Sequence, residues 1–119
     1  MKTLDEVTAA RPIECEPLLE AALQKKCVDW ARARDYWARK FSSISQRSVP
    51  DYLFRGRGIL WATEFKREGA PILKETGCMS TKAQVEEQEA MRAAGWIVFE
   101  CSDFEVFKTK VMALEKGEI

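Results

Sequence analysis

The stretch from Asp51 to Lys66 constrains the fold more than any other part of the chain. Its two ends, Asp51 to Phe54 and Ile59 to Lys66, are rich in aromatic and aliphatic residues of the kind that strands favour. Between them stands Arg-Gly-Arg-Gly at 55–58, a composition that turns a chain back on itself. The expectation is a β-hairpin whose turn occupies residues 55–58. Every other element has to be arranged around that hairpin.

Upstream, the pattern is helical from about Ile13 to Arg34. Leu19, Leu23, Cys27 and Trp30 recur at helical spacing and predict one apolar stripe. Pro17 suits a first turn, which moves the start towards Cys15 or Glu16. Residues 36–41 predict a short strand and 42–48 a loop. Downstream, Arg67 to Met79 reads as a long loop. Thr81 followed by Gln84 is a capping-box pattern opening a second helix that stops at Gly95. Trp96 to Cys101 is β-prone. Ser102 and Glu105 form another capping-box pattern, opening a third helix with Phe104, Phe107, Val111 and Leu114 on one face. The order α-β-β-β-α-β-α predicts a mixed α/β fold, a small mixed sheet flanked by helices, with the last elements crossing over onto the sheet. At 119 residues the reading is one domain, 1–119, with a core of about 13–115.

An apolar share of 46%, with four Trp and six Phe, belongs to a packed protein, and no run approaches the roughly 18 apolar residues of a membrane span. The expectation is no membrane association. The amino terminus shows neither a signal-peptide nor a transit-peptide pattern, so a cytoplasmic setting is the default. Four widely spaced cysteines form no C-x-x-C pair and are expected to be buried free thiols. The chain contains no histidine. Histidine-based triads, H-E-x-x-H zinc sites and imidazole general bases are therefore excluded, leaving carboxylates, lysine and a hard metal ion to do any chemistry.

Nineteen basic residues balance nineteen acidic ones, so attraction to nucleic acid must come from a local patch. Residues 25–40 offer one, with Arg39 and Lys40 at its end and Arg47, Arg55 and Arg57 following. A solvated helix face with snorkelling side chains has the same pattern.

On a strand, Glu64 and Lys66 project to one side and Phe65 to the other. Antiparallel pairing through the turn brings Asp51 towards Glu64. Two such carboxylates suit a divalent cation, and oxygen ligands select magnesium or manganese. With Lys66 beside them the set matches phosphodiester hydrolysis, although an ordinary exposed hairpin can carry the same letters. Glu20 adds weight, because a carboxylate on or beside the apolar stripe needs a partner; an edge position reaching solvent is the other reading. Gln84 faces inward or only closes its capping box.

Taken together, these residues resemble a family. The run at 20–27, Lys40-Phe41, the loop into Val49-Pro50-Asp51, Trp61 to Lys66, Ser80 with Gln84, and Arg92 to Val98 are similar in order and spacing to the VRR-Nuc domain, the virus-type replication and repair branch of the PD-(D/E)XK nucleases. The likeness spans roughly residues 18–107. It implies a restriction-endonuclease-like core in which Asp51, Glu64 and the Phe65 carbonyl bind Mg2+ or Mn2+, Lys66 is catalytic, and Glu20 and Gln84 complete the site. It further implies a homodimeric phage endonuclease acting on structured or branched DNA; a catalytically silent DNA-binding or assembly module with the same fold is the alternative. Ser48 stands where the family usually has glycine, and the loop after Lys66 is longer than usual.

Overall fold

The computed structural model describes residues 15–41 and 48–118, the first helical turn at 15–18 by its backbone alone. Helix α1 spans Cys15–Ala33, strand β1 Trp37–Lys40, β2 Tyr52–Gly56, β3 Ile59–Phe65, helix α2 Lys82–Ala93, β4 Ile97–Cys101 and α3 Phe104–Glu115. The element order expected from the sequence is the one observed. The four strands form one sheet in the order β1-β2-β3-β4, antiparallel except for the parallel β3–β4 pair. That parallel pair is reached through the long loop and α2.

The hairpin turn is tighter than expected. Arg55 and Gly56 remain in β2, with Gly56 opposite Ile59, so only Arg57 and Gly58 turn, both at positive φ (51° and 76°). Two left-handed residues give the turn that matches strand twist. Gly56 is needed for another reason: a Cβ there would lie 2.7 Å from the Tyr36 ring.

Alternation divides the sheet into two unlike faces. One face presents Ala38, Phe54, Trp61, Phe65, Phe99 and Cys101 to α1 and α3, where Cys27, Val28, Ala31, Phe107, Val111 and Leu114 complete the core. Phe54 stacks on Trp61 at 4.8 Å, and Tyr36 meets Trp61 edge-on at 5.0 Å. The buried indole N–H donates to Thr63 Oγ1 at 3.1 Å, so this large side chain is buried without an unsatisfied donor. The expected stripe on α1 needs correcting at one end. Leu23, Cys27 and Trp30 pack on the core, but Leu19 is exposed, because the buried side of the helix runs through Val28 and Ala31 instead.

The second helix begins as expected: the Thr81 side chain accepts from the Gln84 amide, and the Gln84 side chain accepts from the Thr81 amide. The third does not. Its cap is Asp103, accepting from Val106 N at 3.0 Å, rather than Ser102. A carboxylate is the stronger acceptor at a helix's positive end. Cys27 and Cys101 are buried free thiols and Cys78 is half-buried; burial pushes the Cys27 thiol up to about 12. Among the described residues, no helix is long and apolar enough to cross a membrane.

Candidate active site

The sheet face opposite the core holds Asp51 and Glu64. Tyr52 lies opposite Thr63, so the same register continued by one residue sets Asp51 opposite Glu64, both on this face. Asp51 Oδ2 accepts the Phe65 main-chain amide at 2.7 Å, which ties it to the end of β3. Phe65 enters the site through its main chain only, its ring being in the core. Lys66 follows directly, its amide donating to Cys101 O at 2.9 Å. Its ammonium returns to the site, 3.7 Å from Glu64 Oε1.

Gln84 joins the pieces. Its Oε1 accepts from Lys66 Nζ at 2.9 Å and from Thr81 N at 2.8 Å, while its Nε2 donates to Glu64 Oε1 at 2.5 Å. Two donors on one atom and an acceptor facing the other determine which way round the amide sits. The capping role and the inward-facing role, alternatives in the sequence, are performed by one side chain.

Glu64 is only 3% exposed. Its second oxygen, Oε2, is buried with no hydrogen-bond donor. The carboxyl is pushed up from its ordinary 4.5 to about 9, chiefly by burial, then by the Asp51 carboxylate, with Lys66 opposing and Glu20 adding to the rise. Asp51 acts both as a like charge and as an acceptor, so the two carboxylates can hydrogen-bond only when one holds a proton.

A buried carboxylate with an orphaned oxygen, pressed by another carboxylate, is a set that a hard divalent cation would satisfy. Among the described residues, no group of three or more acidic or cysteine side chains is placed to hold a metal. Main-chain oxygen and water would have to complete the shell, as is common for magnesium.

The basic residues divide. Arg39 and Arg55 lie on the site's face of the sheet and are exposed. Lys40 has the opposite strand parity, with its ammonium 5.8 Å from the Tyr52 ring centre. Arg57 sits at the hairpin turn, 3.3 Å from Glu115 and 5.8 Å from the Tyr36 ring centre. Arg47 lies outside the described residues.

Glu100 was not among the predicted residues. It lies opposite Glu64 in the parallel register and accepts from Met79 N at 3.2 Å and Ser80 Oγ at 3.0 Å. Fully buried Ser80 also accepts from Gln88 Nε2 at 3.0 Å. These bonds clamp the end of the long loop to the sheet just before α2, and so position Gln84. The available signal was one acidic residue inside the apolar run Ile97 to Cys101.

No model of a known protein family matches the sequence, and no curated protein does. Among solved structures, the chain is similar to one described as a VRR_NUC domain, with a TM-score of 0.62 and 24% identity over 78% of this chain and 94% of the other. The fold is therefore that of a VRR-Nuc domain, a small mixed sheet flanked by helices.

Proposed function

We propose that this VRR-Nuc fold is a metal-dependent nuclease that hydrolyses DNA phosphodiester bonds. The observation that carries the reading is the buried Glu64 beside Asp51, with one oxygen held by Gln84 and the other lacking a donor. Asp51, Glu64 and the Phe65 carbonyl are the proposed ligands, and magnesium or manganese suits their oxygen chemistry. When bound, such an ion supplies charge neutralisation and Lewis acidity towards a phosphoryl oxygen.

The chain's own groups do the rest. Lys66 is held on the same face by Gln84, where its ammonium can donate to a phosphoryl oxygen as negative charge accumulates there. Gln84 fixes the lysine and one Glu64 oxygen relative to each other, so the charge pattern is in place before substrate arrives. Glu20 is the proposed third carboxylate, supported by its electrostatic influence on Glu64. Arg39 and Arg55 share the face and are the natural phosphate contacts. Structured or branched DNA, a homodimeric assembly and a phage source are parts of the proposal supported by the family resemblance, and a cytoplasmic setting is proposed alongside them.

The test is incubation with labelled duplex, flap, hairpin and four-way DNA, with manganese and after exhaustive chelation. Cleavage that appears with manganese and vanishes on chelation is expected. Full cleavage after chelation removes the metal from the mechanism, whereas binding without cleavage under all conditions identifies a silent DNA-binding module instead. Glu20→Gln tests the α1 contribution, with slower cleavage and unchanged folding expected.

A further inference from the structure

The sheet register arranges the open face into three rows. The site row holds Asp51, Glu64 and Glu100; the next holds Arg39, Leu53, Ala62 and Val98; the third holds Trp37, Arg55 and Leu60. Rows two residues apart along a strand are about 6.7 Å from each other. Helix α2 packs over β4 and not over β1 or β2. On the β1–β2 side Trp37 is 48% exposed. The Arg39 guanidinium lies 5.1 Å from the Trp37 ring centre, and Arg55 is directly opposite Trp37 on the neighbouring strand.

Among the described strand residues of this face, the carboxylates Asp51, Glu64 and Glu100 stand in the site row, with Lys66 just past the end of β3, and the arginines Arg39 and Arg55 stand in the two rows beyond. An aromatic ring already carrying a guanidinium, with a second guanidinium beside it, is the chemistry that binds an unpaired nucleotide: a flat base adds to the stack and its phosphates meet the cations. A protein partner would need a broad apolar surface, but among the described residues of this face the exposed Trp37 has two arginines beside it, and Leu53 and Leu60 are half-buried.

We propose that Trp37, Arg39 and Arg55 form a track for single-stranded nucleic acid, in which an unpaired base stacks on Trp37 and the strand continues past Arg39 to the Asp51 and Glu64 row. The track rests on the nuclease reading only for its direction. It favours substrates with at least one unpaired nucleotide next to the cut.

Binding is measured by fluorescence anisotropy with magnesium present, in a Lys66→Ala background, using a labelled oligonucleotide, the matching blunt duplex and a duplex with a short single-stranded flap. Trp37→Ala is expected to weaken oligonucleotide and flap binding about tenfold, the scale of one lost base stack, and to change blunt-duplex binding little. Trp37→Phe restores most of the loss. Arg39→Ala and Arg55→Ala reduce affinity and flatten its salt dependence, whereas Lys116→Ala, an equal loss of charge elsewhere, does neither. Equal weakening for all three DNAs, or none, overturns the track. So does conversion of a dimer to a monomer by Trp37→Ala in sedimentation, since the face would then join two copies of the chain. Cleavage by the unsubstituted protein separates the two ideas. Cutting with Trp37-independent binding sinks the track alone, and Trp37-dependent binding without cutting sinks the nuclease alone.

Discussion

Two carboxylates in this molecule, one buried and one half-buried, have opposite fates. Glu115, at the end of α3, accepts from Arg34 Nη2 and Tyr36 Oη, both at 2.6 Å, and meets Arg57 at 3.3 Å. Burial works against its charge, but the bonds from Tyr36 and Arg34 and the charges of Arg34 and Arg57 outweigh it, and its pKa is lowered. Glu64, on the opposite face of the sheet, has Lys66 and Gln84 on one oxygen and no donor on the other, and its pKa is raised to about 9. The first carboxylate fastens α3 to the end of α1 and to the hairpin turn. The second costs stability where it stands, which is the behaviour of a group placed for something other than holding the fold.

The largest expected effect lies on the Glu64 side. Lys66→Ala should slow manganese-supported cleavage by about a hundredfold or more, the scale of one electrostatic or acid–base group, while thermal unfolding moves little. Steady-state kinetics beside a melting curve checks this. A large drop in melting temperature with a small change in rate would put Lys66 on the structural side of the comparison.

Next comes Glu64→Gln, expected to stabilise the metal-free protein at neutral pH by about 1–3 kcal/mol by removing a buried carboxyl that must take up a proton on folding, and to abolish stabilisation by manganese. Denaturant titration of chelated protein across pH tests the cause. The folded-state pKa lies above the ordinary value, so the stability linked to this group is fully present below about pH 4.5 and is lost as pH rises towards about 9. With no histidine in the chain, few side chains of ordinary pKa titrate in that window. The parent should weaken from pH 5 to 9 and the Gln variant should not. Parallel curves would break the contrast.

Glu115→Gln should go the other way and by less, a loss of about 1 kcal/mol at neutral pH. Its lowered pKa puts the sign at the acid end: this stability is present above the ordinary carboxyl value of 4.5 and disappears as pH falls through the folded-state value. The difference between parent and variant should close in acid. Smallest of all is Lys25→Ala, which removes an exposed 2.6 Å pair with Asp29 on α1. Its expected cost is about 0.5 kcal/mol or less, so a larger loss in the same denaturation assay would show that surface pairs here rival Glu115.

Much of this was legible in the residues because the signals were local. Strand alternation paired Glu64 with Lys66, and the Thr81–Gln84 spacing located a helix start to the residue. Where two local signals competed, sequence alone chose less well. Both Ser102 and Asp103 are good caps, and the carboxylate won. Arg55 to Gly58 offers two Arg-Gly pairs, and the inner one turned because Gly56 was required beneath Tyr36. The apolar stripe selected Leu19 by size, yet the helix rolls towards Val28 and Ala31, which the aromatic core admits more closely. The basic residues were grouped by nearness along the chain, while the fold sorts them by strand parity. Nothing local could reveal the clamp from Glu100 to Ser80, which depends on a parallel pairing across a long connection.

The double duty of Gln84 bears on motion. The same amide closes the first turn of α2 and holds Lys66 against Glu64, so fraying of that helix end and disassembly of the site are one event. A helix cap contributes only about 1 kcal/mol, far less than global unfolding requires, and helix ends open and close many times for each such unfolding. The fraction of molecules with a formed site is then set by a helix-end equilibrium, and amide exchange at Gln84 and Val85 reports it directly. A ligand that engages Lys66 or Glu64 draws that helix end shut, and protection of those two amides should rise with occupancy while the amides of the aromatic core keep their rates.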